Sequence, residues 1–303
     1  MDAEAKKRLI ERSFKEIEEK KALFDRNPEN STQYFEKLKD LITFEGNLDL
    51  SNYRKKYLER RFLHRLSFLN IESYKKYIDF AKDNPKEILE MKDSLTIHTT
   101  EWFRDKTPFE LLRKNILPRI LKTKKLAADK TLRIFSAPCS SGQEPYTLAI
   151  ILDDIRRELG ITTPIEIYGC DVEPKIVEKA KDGKYYAQYM KGIPAEFVDR
   201  YFTPLPDDWF EIKHSIKRMV KFFVQNLFKP LPSWIKSMDV ILCRNLLIYI
   251  DRDHQLQVIQ NLSKILRKNG YLMLGKTESL LILNTKTDFI AENAREHLYQ
   301  YTP

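Results

Sequence analysis

Three stretches of the chain set chemistry-bearing residues beside small, turn-forming ones. In the first, Ser136-Ala137-Pro138-Cys139-Ser140-Ser141-Gly142-Gln143-Glu144-Pro145-Tyr146 follows the apolar run Leu132-Arg133-Ile134-Phe135. Small residues let a backbone approach a ligand closely, Gly142 permits a tight turn, and a helix N-terminus follows. Glu144 stands at that helix start, where a phosphate-binding loop would carry Lys. A carboxylate aimed into a pocket suits a ligand ammonium group rather than a polyphosphate, which disfavours a nucleotide triphosphatase; the plainer role for Glu144 is to cap its own helix. The second stretch, Gly169-Cys170-Asp171, ends another apolar run. An acid there accepts hydrogen bonds from the ribose hydroxyls of a bound nucleoside, or else caps the next helix. An acid after a second strand and a small-residue loop after the first together point to a nucleoside-containing cofactor. In the third stretch, Met238-Asp239-Val240-Ile241-Leu242-Cys243-Arg244-Asn245-Leu246-Leu247-Ile248-Tyr249, there is no Asp/Asn-Pro-Pro-Tyr/Phe tetrapeptide of the kind that grips a flipped base. Base methylation loses weight accordingly.

The elements that position these stretches alternate. Strands are expected at Leu132–Phe135, Ile165–Tyr168, Met238–Leu242 and Tyr271–Leu274. Helices are expected at Glu144–Leu159, Pro174–Lys181 and Arg252–Arg267, the last ending at Asn269-Gly270. Such alternation implies an α/β fold with a parallel, doubly wound, Rossmann-like sheet, whose ligands bind beyond the carboxyl ends of the strands. A stretch rich in Tyr, Phe and Pro at about 184–224 reads as a small β insertion. Residues 31–105 read as a helical domain, with helices near Thr32–Thr43, from an N-cap at Ser51 to Leu69, Ile71–Lys82 and Pro85–Leu95. Residues 1–30 carry a further amphipathic stretch over Glu11–Phe24, an extra helix for packing or dimerisation or a solvated appendage; 106–303 is the catalytic domain.

Composition narrows the class further. The 303 residues are 42% apolar, with 17 Phe and 15 Tyr, enough for a globular core. Only 8 Gly occur and G-x-G-x-x-G is absent. Three widely spaced cysteines, Cys139, Cys170 and Cys243, fit neither a disulfide framework nor a C-x-x-C metal site, and read as small buried residues. Apolar runs are too short for membrane insertion, and the charged start lacks a cleavage pattern, so a cytoplasmic protein is expected. The net charge of +9 is locally concentrated, with eight Lys/Arg against two Glu between Ser51 and Lys76.

In order and spacing, Ser136-Ala137, Ser141-Gly142-Gln143-Glu144-Pro145-Tyr146, Asp171, Cys243-Arg244-Asn245-Leu246-Leu247-Ile248-Tyr249 and Gly275-Lys276-Thr277-Glu278-Ser279 resemble the CheR chemotaxis methyltransferases. Thr99-Thr100-Glu101-Trp102-Phe103-Arg104 looks like that family's Thr-x-Phe-Phe-Arg element, and the basic helix before it also fits. The likeness spans about residues 35–300, and the motifs are specific jointly rather than singly.

The resemblance implies S-adenosylmethionine as cofactor and chemoreceptor glutamates as substrate. Position by position, it implies that Arg104 pairs with the cofactor's methionine carboxylate and Glu144 holds its amino group. Asp171 takes the ribose hydroxyls, and Asn226-Leu227 borders the adenine. Thr100, Cys243 and Arg244 complete the pocket, and Tyr249 stands close to the reacting methyl. The family usually has Asn where this chain has His98, which can still donate a hydrogen bond to the cofactor; Gln143 replaces a common acid.

A glutamate carboxylate is ionised at neutral pH and needs no general base. Tyr249 and Arg244 would therefore orient rather than transfer protons. Arg54, Arg61 and Arg65, at spacings of seven and four on one helix face, would dock acidic receptor helices. The Gly-free turn Pro204-Leu205-Pro206-Asp207-Asp208-Trp209 lacks the glycine by which some family members tether a receptor's C-terminal pentapeptide, so pentapeptide independence is expected. No nucleic-acid partner is expected. The competing readings are a methyltransferase acting on RNA or a small carboxylic acid, and a non-catalytic cofactor-binding module.

Overall fold

The computed structural model describes residues 24, 26–46, 48–95, 100–280 and 288–303. The helix expected over Glu11–Phe24 lies outside them except for Phe24, and so does His98. The chain divides into two compact units, Met1–Ile97 and His98–Pro303, so the segment that carries Arg104 groups with the second. Among the described residues no helix is long and apolar enough to cross a membrane.

The first unit contains α1 (Thr32–Glu45), α2 (Lys55–Phe68), α3 (Tyr74–Asp83) and α4 (Lys86–Leu95). Apolar residues recur three or four apart: Phe35, Leu38 and Ile42 on α1; Leu58, Phe62 and Leu66 on α2; Ile88, Met91 and Leu95 on α4. This period places them on one face of each helix, where they bury against one another. The expected N-cap at Ser51 is not used. Its hydroxyl donates instead to Asp49 Oδ1 at 2.6 Å, a local turn that competes with capping, and α2 begins at Lys55.

In the second unit, α5 (Lys106–Leu111) continues through a π-helical turn, Leu112–Ile116, into α6 (Leu117–Leu126). The main elements are β1 (Leu132–Ser136), α7 (Gln143–Leu159), β2 (Ile165–Asp171), α8 (Pro174–Asp182), then β3 (Lys184–Tyr186), α9 (Ala195–Tyr201), β4 (Phe202–Leu205), β5 (Trp209–Ile212) and the short α10 (His214–Lys217). They continue with β6 (Val220–Val224), β7 (Met238–Cys243), α11 (Arg252–Ser263), β8 (Leu266–Leu274), β9 (Phe289–Asn293) and β10 (Leu298–Tyr301).

The main sheet runs β6-β2-β1-β7-β8-β10-β9. Strands β6 to β8 are parallel, and β10 inserts antiparallel between β8 and β9, so the doubly wound core carries an antiparallel margin. Successive strand residues feed opposite faces. Ile134, Ile167, Val240 and Leu242 pack with Leu148, Ile151 and Ile155 of α7, while Phe135, Cys170, Ile241 and Cys243 pack with Val258, Ile259 and Leu262 of α11. Both faces are therefore covered, as near-continuous apolar strands require.

Two expectations change. The helix expected to run to Arg267 stops at Ser263, and Asn269-Gly270 lies inside β8 rather than at a helix end. The β7–β8 register passes from Met238↔Leu266 to Val240↔Tyr271, a bulge whose extra residues include Asn269 at φ 62°, a conformation Asn tolerates. The insertion is also narrower than 184–224. Its three-stranded antiparallel sheet, β3-β5-β4, closes at Ile212, and β6 returns to the main sheet beside β2.

Candidate active site

Parallel registry sets the strand ends level: Ser136 pairs with Gly169 on one side and Leu242 on the other, and Cys243 with Leu274. The chain leaving β1 then continues the pairing as a turn. Ala137 N–H donates to Leu242 O at 2.9 Å, and Cys139 N–H donates to Cys170 O at 2.7 Å. The turn ends at Gly142, φ 93°, where a Cβ would lie 3.0 Å from Ala180 Cβ and 3.2 Å from the Tyr185 hydroxyl oxygen. Left-handed backbone and close approach together require glycine here. Tyr185 of the insertion donates its hydroxyl to Ser141 O at 2.9 Å and so holds the turn from outside.

Glu144, in the first turn of α7, points at its neighbours rather than at its own helix amides. Its Oε1 accepts from Ser136 Oγ at 2.9 Å, and its Oε2 accepts from Arg244 Nη1 at 3.0 Å. The Arg244 side chain is 1% exposed and bridges further. Its Nη2 donates to Asp105 Oδ2 at 2.8 Å and to Arg104 O at 3.2 Å, and the guanidinium lies 5.3 Å from the Phe109 ring centre. Lys276 Nζ stands 3.7 Å from Asp105 Oδ1. The ends of β1, β7 and β8 are thus joined to the segment before α5 by one charge-alternating chain, Ser136–Glu144–Arg244–Asp105–Lys276. That segment is sharply turned, with Phe103 at φ 52° and Asp105 at φ 58°. It is anchored by Trp102, whose ring meets Tyr185 and Phe202 edge-on at 5.0 and 5.2 Å.

Asp171 is buried at the end of β2. Its Oδ2 accepts from Ser140 N–H at 2.9 Å and its Oδ1 from Glu173 N–H at 3.3 Å, which locks the post-β1 turn to the start of α8. Its carbonyl oxygen accepts from Gln225 N–H at 2.9 Å and brings 225–227 alongside. Asn226 Oδ1 accepts from Phe228 N–H at 2.9 Å, an Asx-turn that shapes the loop, and Leu227 is buried.

Cys243 is fully buried at the end of β7; burial pushes its thiol pKa well up, so it lines rather than attacks. Cys139 and Cys170 are likewise free and buried. Thr100 and Tyr249 are half-buried, Tyr249 in the short turn Leu247–Tyr249.

The structure therefore brings Glu144, Arg244 and the backbone of Arg104 into one cluster, and Asp171, Asn226 and Leu227 into another, with the turn at Ser140–Gly142 between them. Asp105 belongs to the first cluster and was not expected; its only sequence signal is its place directly after Arg104. Glu278 was quoted only as part of a motif, yet it accepts from the backbone amides of Asn245, Leu247 and Gly275.

The three basic residues of α2 differ among themselves. Arg54 is exposed at the N-cap, Arg61 lies with its guanidinium 5.6 Å from the Tyr57 ring centre, and Arg65 is paired to Glu87 at 2.7 and 2.8 Å. Arg65 is thus turned inward rather than presented with Arg54.

Residues 98–296 match the model described as the CheR methyltransferase SAM-binding domain, and 33–96 match the CheR methyltransferase all-alpha domain. The chain belongs to the CheR methyltransferase family. A chemotaxis protein methyltransferase of Borreliella burgdorferi is 28% identical over 235 residues, 77% of this chain and 83% of that one. One from Pseudomonas aeruginosa is 34% identical over 191 residues, 62% and 68% of the two chains. One from Vibrio anguillarum is 33% identical over 203 residues, 66% and 72%.

S-adenosylmethionine is the cofactor of this CheR domain. The donor set fits that molecule: one buried acid beside a turn that admits no Cβ, and a second acid paired with Arg244.

Proposed function

We propose that this CheR-family methyltransferase esterifies glutamate side chains on the cytoplasmic helices of chemoreceptors. The carrying observation is the paired arrangement of Glu144–Arg244–Asp105 and Asp171 about the Ser140–Gly142 turn; its relatives' names, chemotaxis protein methyltransferases, point to chemotaxis, and the family resemblance supplies the receptor glutamate.

When bound, S-adenosylmethionine would supply an electrophilic methyl group to a glutamate carboxylate and leave as S-adenosylhomocysteine. No proton moves. The protein's part is to hold and desolvate. Arg104 and Glu144 take the methionine end, Asp171 the ribose, Asn226-Leu227 the adenine edge, and Thr100, Cys243 and Arg244 wall the pocket. Tyr249 orients the incoming carboxylate. Orientation of this kind contributes up to about 7–11 kcal/mol.

Docking of the acidic receptor helix falls to Arg54 and Arg61, while the charge of Arg65 is spent on Glu87. The turn between β4 and β5 supports pentapeptide independence. It reaches left-handed backbone with Asp207 and Asp208, at φ 57° and 58°, rather than with glycine.

A tritiated-methyl assay on receptors from the same source tests the reading. Base-labile methanol released from receptor protein is the expected result. Base-stable label in RNA, label in a small carboxylic acid, or binding without transfer would each replace it.

A further inference from the structure

The loop after β7 carries Arg244 and Tyr249, and Asn245 within it adopts φ 60°. Its backbone amides converge on one side chain from the loop after β8. Glu278 is 3% exposed. Its Oε2 accepts from Asn245 N–H at 2.8 Å and from Gly275 N–H at 2.7 Å, and its Oε1 accepts from Leu247 N–H at 2.6 Å. Among the described residues no Lys, Arg or His pairs with it. Burial pushes its pKa up, while the amides of Asn245, Gly275, Leu247 and Ile248 oppose the rise. A carboxylate held in this way without a counter-ion is costly unless its donors are fixed. These donors are fixed: both oxygens meet only N–H groups. The approach is so close that a Cβ on Gly275 would lie 2.6 Å from Glu278 Oε2 and 3.0 Å from Asn245 N.

We propose that Glu278 is a positioning residue for methyl transfer, clasping the post-β7 loop to the post-β8 loop. The clasp sets Tyr249 against the incoming carboxylate. The inference rests on the role given above to Tyr249. The carboxylate is required because the site offers donors only. In Glu278→Gln the shape is kept, but one acceptor becomes an amide that faces backbone N–H. In Gly275→Ala the carboxylate is kept but pushed away.

The test uses the full chain, with the wild type first assayed for receptor methylation. In both variants kcat should fall about 100-fold, the scale of a 1 Å misplacement, while KM for S-adenosylmethionine and calorimetric affinity for S-adenosylhomocysteine stay close to wild type. The amides of Asn245 and Leu247 should exchange faster with solvent. Glu278→Asp, which keeps charge and loses length, should exceed Glu278→Gln in activity; a packing role predicts the reverse order.

The proposal is overturned if Glu278→Gln retains kcat with protected amides, if Gln outperforms Asp, or if affinity and kcat fall together in both variants. Should Glu278→Gln not fold, Gly275→Ala decides between the same outcomes. A wild type inactive on receptors would overturn the proposed substrate instead, and the exchange rates together with S-adenosylhomocysteine affinity would still decide the clasp.

Discussion

Arg65 in the helical unit and Arg244 in the catalytic unit are both drawn inward onto glutamates, and they do different things. Arg65 meets Glu87 fork to fork, Nε on one oxygen at 2.7 Å and Nη2 on the other at 2.8 Å, and Tyr77 donates its hydroxyl to the same carboxylate at 2.9 Å. All three side chains stand on helices, and the pair closes on itself. Burial, with the Glu87 charge beside it, pushes the Tyr77 pKa far up, so that hydroxyl stays a donor. Arg244 instead divides its nitrogens between Glu144, in the first turn of α7, and Asp105, just before α5. A carboxylate offers roughly four acceptor positions, and among the described residues Glu144 accepts from two side chains, Ser136 and Arg244. One arrangement spends its capacity on cohesion. The other keeps acceptor capacity at the place where ligands enter an α/β sheet, which is what the proposed cofactor role asks of it.

The sharpest way to break the comparison is at the binding side. Asp171→Ala and Arg104→Ala should each abolish S-adenosylhomocysteine binding by calorimetry, with the melting of the helical unit unchanged. Wild-type affinity in both would remove the site. Arg65→Ala should act in the opposite sense. Leaving Glu87 buried and unpaired costs about 3–5 kcal/mol, read as a loss of unfolding free energy in denaturant, while cofactor affinity persists.

Smaller is Asp105→Asn, which keeps the shape and removes the charge facing Arg244. Losing a charged hydrogen bond is worth about 1.5–3 kcal/mol, so kcat/KM should fall roughly 10- to 100-fold, with stability nearly unaltered. Smallest is Arg61→Glu, a rim charge on α2. It should slow receptor methylation at low salt and lose its effect as salt screens the surface; an equal rate at every ionic strength would end the docking role.

How far each of these residues was legible in the sequence follows from the range of its interactions. Asp171 ends one strand-like run and Glu144 opens the helix that follows another, and local pattern is enough to place both. The helix ends were less legible. Asp49 beside Ser51 took the hydroxyl that a cap needs, and Asn269-Gly270 reads equally well as a helix stop or a bulge until β7 is there to pair with. The antiparallel β10, seated between β8 and β9, left no mark in the alternation because its partners are set by closure of the sheet rather than by its own residues.

Periodicity, strand-end chemistry and motif order were properties of the chain read in one dimension, and they determined the two kinds of domain and the cofactor class, and named the side chains proposed to hold it. Which way those side chains turn was decided only in three dimensions. Arg65 and Arg61 share a helix and a spacing, yet the one found Glu87 twenty-two residues away, and the other rests on an aromatic ring. Arg244 and Glu144 are one hundred residues apart, and Glu278 meets the amides of a loop more than thirty residues earlier. Charge and hydrogen-bond energies fall off over a few ångströms, so only the packed fold chooses the partner.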